Sequence, residues 1–422
     1  MIWEKTRTTF QALTIRNFRL FFLGQVAKLH GVWILFIAQD WLVLELSDNS
    51  ATALGVVTGL QSAPFVLLSL YAGKLADRSD RRRLLIGVNF VAGALALLLG
   101  VLVATHLITL WLVFVFAALL GSVSAIENPV RQSFVSDLVE PALLPNALGL
   151  SSAAFNIARI AGPAVAGVAI WLIGLGPTFL VTSLFYLGSP LILMRVRDAE
   201  LYGSRRSAGK ASIRDGLAYV RQREDLVLPL ALLLVVGLAG FNFQITLAVL
   251  AKSVFGTGAQ HFGLLTTSLA VGALAGALAS GSRRTRPSVY AVLGSALVFG
   301  LLEVLVGLAP TFWATALLLA PTGFFMIFYV QASNQRLQLG VTDEYRGRAM
   351  ALFMLVFMGT TPVGGPLIGS VSEHLGPRAG IWGGGLICFL GALGALGWHL
   401  HRSGERLRIT LRPLHVEVVP AA

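Results

Sequence analysis

Charge is scarce in this sequence. Only 12% of its 422 residues are Asp, Glu, Lys or Arg, while 56% are hydrophobic; an ordinary soluble domain carries roughly 25% charged residues. A fold of this length and composition has too little polar surface to face water on all sides. A single cysteine, Cys388, excludes intramolecular disulfides and thiolate metal clusters by count. The seven histidines show no ligand spacing, and His399 and His401, two apart, point to different faces of a helix. Residues Gly203–Lys210, "GSRRSAGK", imitate a phosphate loop, but five residues separate the glycines where four are needed, and Ala211 follows where Ser or Thr is required. ATP-driven work therefore has no support. There is no Gly-x-Ser-x-Gly elbow either. Nothing points to an enzyme, a metal or a cofactor.

What is present is a series of long apolar blocks, each about the 20 residues a helix needs to cross a bilayer. Twelve spans are expected, at 18–46, 53–72, 84–105, 108–126, 147–172, 177–195, 226–250, 262–281, 288–308, 311–330, 349–372 and 379–400. Continuous hydrophobicity favours helices over barrel strands, which would alternate in stretches of about ten. The fold class is thus an all-α polytopic membrane protein. The first 17 residues are polar and the first apolar block lacks a cleavage site, so no cleavable signal is expected.

With the amino terminus taken as cytoplasmic, 28 of the 32 Lys and Arg fall in cytoplasmic segments; only Lys252 and Arg378 fall outside, and Lys28 and Arg159 lie within spans. That asymmetry places both termini in the cytoplasm, and it explains the +12 net charge without a nucleic-acid partner. The longest interruption, 196–225, contains "SIRDGLAYVRQRED", whose Ile213, Leu217 and Val220 form one helical stripe. An amphipathic helix at the membrane surface fits it. The expected organisation is a six-helix bundle at 1–195, a linker at 196–225, a second bundle at 226–400 and a cytoplasmic tail at 401–422.

The halves repeat. "LGVVT" at Leu54–Thr58 recurs as "FGLLT" at Phe262–Thr266, and Gly73 answers to Gly281, at an offset of 208. Asn128, Gln132, Val135 and Asp137 return as Asn334, Gln338, Val341 and Asp343 at 206. Parallel six-helix repeats build transporters whose site lies between the halves.

The turn after the second span, "GKLADRSDRRRLL" at 73–85, resembles the signature loop of the major facilitator superfamily through Gly73, Leu75, Ala76, Asp77, Arg78, Arg81 and Arg82; Asp80 stands where the family has glycine. The resemblance implies two pseudo-symmetric six-helix bundles. It also implies that Asp77 holds an inward gate against the start of helix 11, "RGRAM", aided by Arg346 or Arg348. Arg81 to Arg83 serve equally as topology anchors. In span 5, "ARIAGPAVAG" is similar to a motif of the family's drug/proton antiporters through Gly162, Pro163 and Gly167, with Ala166 replacing a glycine; "GTTPVGGP" at Gly359–Pro366 echoes it. "AQDWLVLEL", "ENPVRQSFV" and "RGRAMALFMLVFMGTTPVGG" resemble the bacterial branch containing the enterobactin exporter and multidrug efflux permeases.

Ionisable residues inside the membrane are costly, so they face a cavity or a partner. Asp40 lies about eight residues beyond the midpoint of span 1, ~12 Å along the helix, and is a candidate for carrying a coupling proton; it also suits a capping or interfacial role. His30, a residue type whose charge commonly switches near physiological pH, is a second candidate, or a packed neutral histidine. Glu303, near the outer end of span 9, is a third, or an interfacial residue. Arg159 stays charged and needs an anion, with Glu127 as one structural partner and cargo as the alternative. Span 4, read as 108–126, contains no charge, so the family's arginine there has no counterpart.

The family likeness implies that spans 1, 4, 7 and 10 line a central cavity. Their polar and aromatic residues include Trp33, Phe36 and Gln39; Ser122 and Ser124; Asn242 and Gln244; Phe324, Phe325 and Tyr329. Apolar walls with few polar groups suit an amphiphilic ligand. The expectation is a monomeric secondary transporter in a bacterial inner membrane, exporting small amphiphiles such as drug-like compounds or a siderophore by alternating access, against inward proton flow. Metabolite uptake on the same fold and a non-transporting membrane sensor are the alternatives.

Overall fold

A computed structural model describes residues 10–202, 219–281, 285–411 and 414–420; for Ser69, Leu70, Gly73, Lys74, Ala76, Asp77, Glu224, Asp343 and the residues from 405 onward it describes the backbone alone. The first bundle contains α1 (Arg16–Leu46), α2 (Ala51–Arg78), α3 (Arg81–Ala104), α4 (Leu110–Leu138), α5 (Leu144–Ile173) and α6 (Leu175–Leu193). In the second, α7a (Glu224–Ala239) and α7b (Phe243–Val249), which runs into a π turn at Leu250–Val254, form one broken span. It is followed by α8 (Ala259–Gly281), α9 (Val289–Leu308), α10 (Phe312–Gly340), the broken pair α11a (Asp343–Gly359) and α11b (Thr361–Leu375), and α12 (Pro377–Ser403). Among the described residues, twelve helical spans are long and apolar enough to cross a membrane. An even number returns the chain to the face where it began, here termed the terminal face. Beyond α12, β1 (Glu405–Leu411) pairs antiparallel with β2 (Leu414–Pro420), a hairpin the tail's sequence did not suggest. The expected surface helix around 213–220 lies largely outside the described residues.

Local chemistry starts and stops these helices. Ser50 caps α2, Ser288 caps α9 and Thr311 caps α10, each side chain accepting from a backbone N–H three residues on. Asp80 caps α3 by accepting from the Arg83 N–H at 3.0 Å, with φ −64°. The position where the superfamily loop has glycine is a helix N-cap here, and aspartate suits that role without needing a left-handed backbone.

The bundles are built alike. In the first, α2 packs on α4 and α3 on α6; in the second, α8 packs on α10 and α9 on α12. Two seams join them, α2 to α11b and α5 to α8, and repeated residues occupy equivalent places in each. A Cβ on Gly55 of "LGVVT" would lie 2.5 Å from the Gly365 carbonyl oxygen and 3.0 Å from the Pro366 Cα; one on Gly263 of "FGLLT" would collide with the Pro163 carbonyl. Small residues there let two backbones touch. Further along each seam Gly59 meets Pro362, and the Thr267 hydroxyl donates to the Ile160 carbonyl at 3.1 Å. At the end opposite the terminal face, Glu373 of α11b accepts from the Ser50 hydroxyl and the Thr52 N–H, both at 2.7 Å.

Candidate functional site

A cavity of about 530 Å³ lies between the bundles at mid-depth, on the terminal side of both seams. Its two walls differ. The first bundle contributes Gln25, Lys28, Trp33 and Phe36 of α1, Ser124, Glu127, Asn128 and Arg131 of α4, and Phe155 and Arg159 of α5. The second contributes an almost wholly apolar wall, including Phe241, Phe243 and Leu247 of the α7 span, Leu269 and Ala273 of α8, Met326 and Val330 of α10, and Phe357 and Met358 of α11a; Gln244, Thr266 and Thr361 are its polar exceptions.

An ion network anchors the polar wall. Glu127 Oε1 lies 3.1 Å from Lys28 Nζ and 3.3 Å from Arg131 Nε. Lys28 also donates to Asn89 Oδ1 of α3 at 2.5 Å and approaches the Tyr186 ring of α6 at 6.0 Å. Arg131 donates to Asn128 Oδ1 at 3.0 Å. Four helices thus converge on one lysine that is 4% exposed. Hydropathy alone ends span 4 at residue 126, but α4 continues to Leu138, because intrahelical hydrogen bonding does not depend on side-chain polarity and the polar turns face the cavity. Span 4 therefore carries charge after all, in Glu127 and Arg131. Glu127 is paired with Lys28 and Arg131, not with Arg159. Among the described residues no hydrogen bond or ion pair reaches Arg159, and its buried Nε is unpartnered.

The structure separates the cargo candidates. Trp33, Phe36, Arg159 and Gln244 line the cavity, Trp33 packing edge-on against Phe36 and Phe155. Asn242 sits at the α7 break and donates to the Leu238 and Ala239 carbonyls at 2.9 and 3.3 Å, satisfying the end of α7a. Gln39 is buried and accepts from Gln61 at 3.2 Å. Tyr329 is fully buried, and Phe325 packs against the core; neither lines the cavity. The break at Thr360 packs on the α7 break, since a Cβ on Gly364 would lie 2.5 Å from the Leu238 carbonyl oxygen.

The three proton candidates are scattered. Asp40 is buried with an unpartnered Oδ2. Glu303, expected near the interface, is 3% exposed and has an unpartnered Oε2 beside Gly240, Gly384 and Cys388. His30 is half-buried, its Nδ1 2.8 Å from the Val26 carbonyl oxygen.

Of the gate candidates, Gly73 and Asp77 are described by their backbone alone. Arg78 is exposed. Arg81 pairs with Asp137 of α4 at 3.0 Å, inside its own bundle. Arg346 is exposed, and Arg348 lies over the Tyr345 ring, which stacks on Tyr219 at 4.3 Å. Gly162 abuts Trp33 of α1, Pro163 abuts Gly263, and Gly167 abuts Ala259 and Gln260 of α8.

Two repeated six-helix bundles meeting around a mid-depth cavity define the transporter class of the major facilitator superfamily. The fold is that of a bacterial homologue of the human lysosomal transporter Spinster in its inward-facing, unoccupied conformation (TM-score 0.73, 14% identity, 92% of this chain and 96% of that one). It is equally that of the nucleoside transporter NupG (TM-score 0.72, 11% identity, 92% and 98%). The profile of a family described as "Transmembrane secretion effector" matches residues 7–418, and the chain belongs to that family. Similar proteins include the staphyloferrin A transporter of Staphylococcus aureus, 27% identical over 371 residues (85% of this chain, 90% of that protein). Macrolide efflux protein A of Streptococcus pyogenes is 24% identical over 369 residues (85% and 90%). Multidrug efflux pump Tap of Mycobacterium bovis is 25% identical over 373 residues (83% and 85%).

Proposed function

We propose that this protein exports small amphiphilic molecules across a bacterial inner membrane by alternating access, with both termini in the cytoplasm and protons flowing inward. One observation carries the reading: the cavity lies on the terminal side of two Gly- and Pro-rich seams that close the opposite face. The positive-inside asymmetry makes the terminal face cytoplasmic, so the cavity in this conformation lies on the side from which an exporter loads its cargo. The names of two relatives, a macrolide efflux protein and a multidrug efflux pump, agree with export. Buried carboxyls, Asp40 and Glu303, support proton coupling, each offering an oxygen that no protein group engages among the described residues. The latch assigned to Asp77 and helix 11 belongs to the opposite state, where the terminal face closes.

The test is flux in proteoliposomes. Protein oriented with its terminal face outward is expected to accumulate a fluorescent amphiphile, 8-anilino-1-naphthalenesulfonate, inside the vesicle when the lumen is acid, and to stop when the gradient is collapsed. Asp40→Asn, Glu303→Gln and His30→Gln identify the coupling residue as the variant that exchanges cargo but ignores the gradient. Gradient-independent flux in the wild type refutes antiport, and net movement toward the terminal face refutes export.

A further inference from the structure

We infer that the cavity is built for an acid: an amphiphile whose anionic group is held by Arg159 of α5, on the wall that also carries Arg131 and Asn128 of α4, while its apolar body lies on the second bundle's wall. The inference deepens the export reading and rests on it for direction alone.

Four charged side chains line the cavity, Lys28, Glu127, Arg131 and Arg159, and their sum is two positive charges. The one carboxylate is already engaged on both flanks by Lys28 and Arg131, so a cationic cargo would have to displace a buried partner to reach it. The Lys28 charge is likewise met, by Glu127 and Asn89. Arg159 is different. No protein anion meets its guanidinium among the described residues, its Nε is buried without a partner, and Trp33 and Phe155, an edge-to-face pair, line the same wall. A permanently charged guanidinium held at mid-depth without a counter-ion is costly, and a carboxylate, sulfonate or phosphate matches its planar fork. Across the cavity, Phe241, Phe243, Leu269, Met326, Phe357 and Met358 offer only dispersion and hydrophobic contact. A ligand satisfying both walls has an acid at one end and a bulky apolar body at the other. The same chemistry describes a free amphiphilic acid and an anionic lipid.

The experiment measures binding to the full-length protein in phosphatidylcholine nanodiscs, with empty nanodiscs subtracted. The probes are 8-anilino-1-naphthalenesulfonate, its uncharged skeleton N-phenyl-1-naphthylamine, and tetraphenylphosphonium. Wild type is expected to bind the sulfonate saturably and at least roughly tenfold more tightly than the uncharged skeleton, as loss of a charge-assisted hydrogen bond implies. Arg159→Gln should remove that preference while leaving the uncharged probe's affinity unchanged, and Arg159→Lys should keep part of it. The unchanged neutral probe serves as the folding control, with Arg131→Gln as a second variant expected to weaken the sulfonate alone. Repeating the titration in phosphatidylglycerol nanodiscs separates the sources: competitive loss of the sulfonate assigns the acid to a lipid, and no loss assigns it to a free amphiphile. Equal binding of charged and uncharged naphthyl probes, tighter binding of tetraphenylphosphonium, or an Arg159→Gln variant with wild-type sulfonate affinity overturns the inference. Saturable, Arg159-dependent binding without any flux in proteoliposomes would instead sink the export reading and leave the acid site standing.

Discussion

Replacing Gly55 with alanine tests whether the α2–α11b seam is what closes the face opposite the termini. The new Cβ would stand 2.5 Å from the Gly365 carbonyl oxygen and 3.0 Å from the Pro366 Cα. Non-bonded heavy atoms settle at about 3.5 Å or more, so the helices must part by about 1 Å. Both atoms met are backbone, so no rotamer change relieves the clash. Overpacking of this kind costs about 1–3 kcal/mol. Because the seam exists only while the opposite face is shut, the cost falls on that state alone. The equilibrium then moves toward the other state by roughly 5- to 150-fold. Gly263→Ala on the α5–α8 seam meets the Pro163 carbonyl and should act in the same direction. The assay is labelling of one introduced cysteine, Ser124→Cys on the cavity wall, by a membrane-impermeant maleimide supplied to the opposite face. Cys388 is the sole native cysteine and is fully buried, so it adds little background. Labelling from that face should rise by the factor above while labelling from the terminal face falls or holds. A Gly55→Ala protein with wild-type thermal stability and unchanged labelling from the opposite face would refute the reasoning.

Three further outcomes follow from single contacts. Glu127→Gln leaves Lys28 buried without its counter-charge and should destabilise by about 3–5 kcal/mol, whereas Lys28→Met combined with Glu127→Gln should recover most of that loss; thermal unfolding in detergent of both singles and the double reads the coupling. Asp80→Ala should cost about 1 kcal/mol through loss of the α3 cap while Asp80→Gly costs only a few tenths, an ordering that thermal midpoints check and that a role in ion pairing alone would not produce. Asn242→Ala strands the Leu238 and Ala239 carbonyls at the α7 break and should cost about 1–3 kcal/mol, measured by the same unfolding assay, with Asn242→Asp failing to rescue because it brings no N–H donor.

Much of the framework is legible in the linear sequence. Hydropathy counts twelve spans, and the offset repeats anticipate the two equivalent seams at Gly55 and Gly263. Other features are not legible, for identifiable reasons. Hydropathy stops counting α4 at Ile126, although the helix continues and turns Glu127 and Arg131 toward Lys28. A window average registers polarity but not which way it faces. Asn242 reads as a cargo contact because it is polar in a lining span, yet its amide is used by the carbonyls of a helix break that no periodicity announces. Arg81 belongs to a loop motif, but its partner Asp137 lies 56 residues away.

What the order of residues determines by itself is everything governed by near neighbours: membrane residence, the number of apolar helices and the duplication. Those follow from transfer free energies and helix geometry, which each segment carries alone. Which charges neutralise one another, which arginine is left without an anion, and which end of the interface is closed are decided only when helices distant in the chain cross. The reason is geometric: Lys28 meets Asn89 across 61 residues and Ser50 meets Glu373 across 323, and such meetings depend on crossing positions and side-chain directions that no local pattern records.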